Sequence, residues 1–304
     1  MNQRLRITRL GCVAVTACIA IVAAVHASVP ARAVNPQLQA TRPQRIISLV
    51  PAVTEMLFAL GAGSDVVAVS NYDKFPKEAA AKPKVGALID PDFERMLSLR
   101  PDLVVVYESQ SELIGRLGRV KVPVFHYRHA GLADITETIT ALGERIDRAA
   151  DARTLVARIE RDLDRIRQQV AGRPRPLTAL IFGREPGTLR SLYASAGIGF
   201  MHDMLLVAGG ADAFDDMKRQ SLQVSTEVLL ARKPEVIVDI HPSDLWRPDR
   251  AARERDVWRA LPSLPAVRTG RVYLIVDDRL VVPGPRVAEA VRLIAQVLHP
   301  DVVK

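Results

Sequence analysis

The chain has 304 residues, of which 48% are hydrophobic, 25% charged and 5% aromatic, and its formal charge is +8. That length accommodates two domains with cores of their own, and the single long apolar run excludes a polytopic membrane protein, while the composition excludes a disordered chain or a coiled coil. Four arginines and no acid within residues 1–33 supply half of the charge; the rest is spread without a basic and aromatic cluster, so nucleic acid is not an expected partner.

Arg4, Arg6 and Arg9 precede Leu10–Val25, sixteen uncharged residues. A membrane span needs about 20, so the run reads as a cleaved export signal over residues 1–33, with small residues fitting cleavage after Ala27 or Ala33. Both cysteines, Cys12 and Cys18, lie inside it, and the exported chain is expected to carry neither disulfide nor reactive thiol. Val15-Thr16-Ala17-Cys18 also resembles a lipoprotein signal, with the lipid on Cys18. The apolar run continues seven residues past that cysteine, which favours the unlipidated, periplasmic form.

The exported chain then alternates strands and helices. Arg45–Val50 is a short apolar run suited to a buried parallel strand. Thr54 is expected to cap a helix ending at Gly61. Strands are expected at 66–69, 103–106 and 122–125, completing an N-terminal lobe over residues 34–133 with a parallel sheet. From Asp134 to 174 the apolar period becomes helical: Ile135, Ile139, Leu142 and Ile146 share one face, and Leu155, Ile159, Leu163, Ile166 and Val170 another. Asp151–Ala171 contains neither Pro nor Gly and reads as a rigid rod. A C-terminal lobe over 175–304 follows, with strands at 178–182, 236–240 and 272–276 and a closing helix after Pro285.

A repeat supports two similar lobes. Glu94-Arg-Met-Leu-Ser-Leu-Arg-Pro-Asp-Leu-Val-Val-Val106 recurs in kind as Glu227-Val-Leu-Leu-Ala-Arg-Lys-Pro-Glu-Val-Ile-Val-Asp239. Each copy reads as a short helix, a proline turn and a buried strand. The expected fold is therefore α/β, with two similar parallel-sheet lobes joined by a long rigid α-helix.

Catalytic patterns are missing: there is no phosphate loop, no G-x-S-x-G elbow and no H-E-x-x-H. His126 and His129 are the close histidine pair, placed just after an expected strand, where α/β sheets bind ligands. His202 and His241 read as structural. Tyr72 and Phe75, in a loop after one strand, and Tyr107, after another, present aromatics at one sheet edge, which suits a flat apolar ligand. Tyr193, Phe200, Arg219 and Asp278 are expected in loops of the second lobe that face the first. Asp92 and Ser225 are N-cap residues, placing Glu94 and Glu227 in first turns of matching helices. Such a pair suits two-point docking on basic residues of a partner.

Arg45-Ile-Ile-Ser-Leu-Val-Pro-Ala-Val-Thr54-Glu55, Val69-Ser70-Asn71-Tyr72, both repeat segments, Ala208-Gly209-Gly210 and Pro283-Gly284-Pro285-Arg286 together resemble the substrate-binding proteins of ABC importers for vitamin B12, haem and ferric siderophores. The resemblance runs from Arg45 to Pro300. It implies a non-enzymatic, monomeric binder that holds a metal chelate between its lobes and docks through Glu94 and Glu227 on a permease dimer. No resident cofactor is implied. Within the family the cobalamin binders are most alike, Tyr72 matching a ligand-contacting tyrosine. Leu88, Tyr107 and Ser221 stand where those binders have tryptophans. Haem binding would draw an axial ligand from Tyr72, Tyr107, His126 or His129, and a ferric siderophore would use Arg128, Arg184 and Arg219. The ligand-facing set expected on these grounds is Tyr72, Phe75, Leu88, Tyr107, Arg219 and Asp278.

Overall fold

The structure is a computed structural model and describes residues 42–243 and 246–303. The expected signal over 1–33 and Cys18 lie outside the described residues. The first lobe runs β1 (Ile46–Ser48), α1 (Pro51–Ala59), β2 (Val66–Val69), α2 (Lys77–Ala80), α3 (Phe93–Ser98), β3 (Leu103–Tyr107), α4 (Ser111–Arg119) and β4 (Val124–Tyr127). Two helices follow, α5 (Leu132–Arg145) and α6 (Ala149–Val170). The second lobe comprises β5 (Leu177–Gly183), β6 (Leu192–Ala196), α7 (Phe200–Val207), β7 (Ala211–Asp212), β8 (Arg219–Val224), α8 (Thr226–Arg232), β9 (Val236–His241), α9 (Ala251–Asp256), α10 (Pro265–Arg268), β10 (Val272–Val276) and α11 (Val287–Leu298).

The first sheet has the order β2-β1-β3-β4, with every pairing parallel. The central strands β1 and β3 are buried on both faces, which explains their unbroken apolar character, whereas the edge strand β4 is only partly buried. Two local expectations fail. Thr54 does not cap α1: Pro51 opens the helix with its fixed φ, and the buried Thr54 hydroxyl donates back to the Val50 carbonyl at 3.2 Å. Strand β4 starts at Val124 rather than 122, because the Val122 N–H closes the end of α4 on the Leu117 carbonyl.

In the second lobe β7, β5, β9 and β10 repeat the parallel arrangement of β2, β1, β3 and β4. The correspondence extends to helices: α7 stands between β5 and β7 as α1 stands between β1 and β2, and α11 follows β10 as α5 follows β4. The second lobe adds a piece the sequence reading lacked, the antiparallel strands β6 and β8 extending the sheet beyond β5.

Helix α6 has 22 residues without Pro or Gly, a length of roughly 33 Å at about 1.5 Å per residue. Its buried stripe of Leu155, Ile159, Leu163, Ile166 and Val170 joins residues of α1, α5, α7 and α11 in one apolar cluster touching both sheets. The lobes thus share a continuous helical seam.

Candidate functional site: the cleft between the lobes

A cavity of about 250 Å³ opens between the lobes at the carboxyl ends of their parallel strands. From the first lobe come Pro51, Glu55, Tyr72, Lys74 and Phe75; from the second come Pro242, Asp278, Val281, Val282 and Arg286. Tyr72 is 61% exposed and Phe75 45% exposed, so both rings are offered to the cleft. The aromatic loop is held from below by Asp73, which is buried and accepts from the Ser70 N–H at 2.8 Å and the Ser70 hydroxyl at 2.5 Å. Lys84 donates to the Asp73 carbonyl at 2.9 Å. Burial pushes the Asp73 carboxyl above its usual range, against the hydrogen bonds from Ser70.

The cavity floor is an ion pair across the lobes. Arg286 donates from Nε to Glu55 Oε2 at 2.8 Å and from Nη2 to Oε1 at 2.5 Å, a bidentate fork. The same guanidinium lies 3.8 Å from the centre of the Phe75 ring, within cation–π range. Glu55 is 5% exposed, and burial raises its carboxyl above the ordinary value although Arg286 opposes the shift. On the opposite wall the Asp278 carboxylate is occupied by the N–H and hydroxyl of Ser243.

Of the residues expected to face a ligand, Tyr72, Phe75 and Asp278 come together here. Leu88 lies instead in a separate groove of about 480 Å³ against α4, its carbonyl accepting from Gln110. Tyr107 ends β3 and packs edge-on against Tyr127 at 5.6 Å. Burial, and secondarily the charge of Asp73, push its hydroxyl up to about 12, which opposes a phenolate there. Arg219 and Tyr193 are in strands β8 and β6, not loops, and Phe200 is buried as the first residue of α7. His126 is inside the edge strand β4 rather than after it. His129 stacks edge-on against Phe200 at 6.4 Å, at a different contact between the lobes, and burial holds its imidazole below the usual value.

Two of the three arginines considered for a siderophore are committed to acids elsewhere, while Arg219 is exposed on β8. Arg184 is fully buried between Asp239 at 2.8 Å and Glu254 at 2.7 Å, and Arg128 pairs with Asp134 at 2.8 Å. Ser221 is exposed on β8. The basic groups at the cavity are Lys74 and Arg286, which the sequence reading did not place. Glu55 and Arg286 stood in plain view within two family-like motifs, but nothing in the sequence pairs residues 231 positions apart.

Glu94 and Glu227 occupy matching positions, in α3 leading to β3 and in α8 leading to β9. Asp92 accepts from the Arg95 N–H at 3.0 Å and Ser225 from the Val228 N–H at 3.4 Å, as expected of N-caps. Both glutamates are exposed; Glu94 has Arg116 at 3.9 Å. A hydrogen bond from Ser225 keeps the Glu227 carboxyl below its usual range.

Two lobes, a shared helical seam and a cleft at the strand ends define a binding protein, and the family comparison agrees: the model described as periplasmic binding protein matches residues 46–278. The chain belongs to that family, whose members bind substrates and are not enzymes. It is 29% identical over 267 residues to YvrC of Bacillus subtilis, a substrate-binding lipoprotein of an ABC transporter, covering 86% of this chain and 82% of YvrC. It is 28% identical over 203 residues to the vitamin B12-binding protein of Yersinia pestis, covering 66% of this chain and 71% of that protein. Among solved structures, the periplasmic vitamin B12-binding protein BtuF of Vibrio cholerae superposes with a TM-score of 0.72 at 25% identity, over 84% of this chain and 97% of BtuF. A periplasmic haem-binding protein of Pseudomonas aeruginosa shares the fold, with a TM-score of 0.74 at 21% identity, over 86% of this chain and 94% of that one. Among the described residues no helix is long and apolar enough to cross a membrane.

Proposed function

We propose that this protein is the extracytoplasmic substrate-binding component of an ABC importer and that it captures cobalamin or a related corrinoid between its lobes. The observation that carries the reading is the aromatic edge of Tyr72 and Phe75 facing Val281 and Val282 across the cleft. Planar rings opposite branched aliphatics suit the rim of a macrocycle. The cavity is smaller than the roughly 300–1,000 Å³ of pockets that enclose a drug-sized ligand, so it takes one edge of a chelate that otherwise spans the cleft. The relatives that bind vitamin B12 support the same reading.

Haem is the second reading, and the Tyr72 hydroxyl favours it as the one accessible phenol at the cavity. In either case Glu94 and Glu227 would dock the loaded protein on two basic patches of a permease dimer, with the protein itself a monomer. Deleting the gene in its source organism and measuring uptake of labelled cyanocobalamin tests the proposal. Loss of uptake, restored by the wild-type chain, is expected; undiminished uptake of both cyanocobalamin and haem contradicts it.

A further inference from the structure

The duplication of the fold reaches the contacts between the lobes. Glu55 of α1 crosses to the loop before α11, where it holds Arg286 and lies so close to Gly284 that a Cβ there would sit 3.1 Å from Oε2. Asp203 of α7 crosses in the opposite sense to the start of α5, where it accepts from the Leu132 N–H at 2.8 Å. A Cβ on Gly131 would sit 2.7 Å from its Oδ2. The first helix of each lobe therefore uses an acid to pin the entry to the closing helix of the other.

The two contacts differ in what stands on them. Asp203 meets a backbone N–H and belongs to no wall of the cavity between the lobes. Glu55 meets a guanidinium whose central carbon lies 3.8 Å over the centre of the Phe75 ring, and Phe75 is half of the aromatic edge. We propose that Glu55 is a positioning residue for the ligand cavity: it holds Arg286 flat against Phe75, so that the aromatic wall is formed only while the lobes are latched at this point. The inference rests on the cleft being the ligand site. It gives the two halves of a duplicated latch different duties, one structural and one tied to binding.

The physical case is orientation. A bidentate carboxylate fixes both the position and the plane of a guanidinium, and stacking on an aromatic ring requires that plane. Apart from Glu55, Arg286 makes no ion pair among the described residues; Asp277 acts on it only through its longer-range charge, so without Glu55 no carboxylate fixes the plane of the guanidinium against the ring. Glu55 is too deeply buried to provide a ligand contact of comparable size.

The test compares Glu55→Gln with Asp203→Asn, using cyanocobalamin and haemin as probes, and adds Phe75→Ala alone and combined with Glu55→Gln. The expected result is that E55Q weakens the bound probe about tenfold, a coupling of the size contacting residues show, while D203N leaves binding within about twofold, the range of non-interacting sites. E55Q should add nothing further to F75A, because its effect passes through that ring. A merely structural role predicts that E55Q and D203N act alike, or that E55Q and F75A add; either result overturns the proposal. If E55Q does not fold, Arg286→Lys replaces it, since an ammonium keeps the ion pair but cannot stack as a plane; unchanged binding in R286K overturns the proposal. If wild type binds neither probe, the assignment of ligand fails separately. The latch is then judged on the Arg286 Nε–H resonance: its loss of the Phe75 ring-current shift in E55Q supports the latch, and an unmoved signal overturns it.

Discussion

Replacing Tyr72 with alanine removes the most exposed ring at the cavity and leaves its loop intact, since that loop is held by Asp73, Ser70 and Lys84. An aromatic side chain offers about 150–250 Å² for burial, and Tyr72 is 61% exposed without ligand; roughly 90–150 Å² is therefore available for a ligand to cover. At about 25 cal/mol per Å², complete coverage contributes roughly 2–4 kcal/mol and coverage of one face about half of that. Tyr72→Ala should thus weaken binding by about 1–3 kcal/mol, a rise in Kd of roughly 5- to 150-fold. Isothermal titration with cyanocobalamin and with haemin measures it, with the melting temperature of the variant as control. Tyr72→Phe separates stacking from coordination: a stacked corrinoid tolerates the loss of the hydroxyl, whereas an iron-bound phenolate does not. An unchanged Kd in the alanine variant, with the fold intact, refutes the assignment of the cavity.

Glu94→Arg or Glu227→Arg should leave probe affinity unaltered but impair transport, with the double change worse, because like charges set together at an interface cost several kcal/mol; normal uptake by both reversals reduces these residues to helix-start carboxylates. Stability should depend on pH with two opposing signs. Burial raises Glu55 and Asp73, so the folded state takes up their protons more readily than the unfolded state, and their contribution grows as pH falls through the folded values. At Asp239 burial also pushes upward, but His241 and Arg184 together hold the carboxyl below its usual range; its stabilisation is present above the ordinary carboxylate value and is lost as pH falls through the folded one. Asp239→Asn should therefore cost about 3–5 kcal/mol near neutrality, the scale for breaking a buried pair, and flatten the acid limb of a melting-temperature profile; an unaltered limb contradicts the sign. Helix α6 has no residue at which to kink, so scattering curves with and without probe should nearly superpose, and a large closure would contradict the rigid seam.

The parts of this fold that were legible in the sequence are those determined locally. Buried parallel strands read as unbroken apolar runs, the helical stripe of Leu155 to Val170 gave α6, and Asp92 and Ser225 announced their helices by cap chemistry. The repeat of 94–106 in 227–239 gave the two lobes, and the structure extends that duplication to α1 and α7. Strands β6 and β8 stayed hidden because their residues are unlike the parallel strands: β6 ends in the small side chains Ala194-Ser195-Ala196, and β8 presents Arg219, Ser221 and Gln223 to solvent. The cavity was half legible. Tyr72 and Phe75 stood out as aromatics in a polar loop, but Glu55 and Arg286 acquire a role only by meeting across the chain. Leu88 was placed by likeness to relatives and lies in a separate groove, and Arg219 was expected in a loop but begins strand β8.

Titration of the purified chain from residue 34 with cyanocobalamin, haemin and a ferric siderophore, followed by absorption, tests the capture of a metal chelate most directly. One equivalent of one chelate should be retained through gel filtration, with a shifted spectrum, no turnover, and weaker retention in Tyr72→Ala. Failure to retain any of the three, by a protein that is folded, would contradict the account.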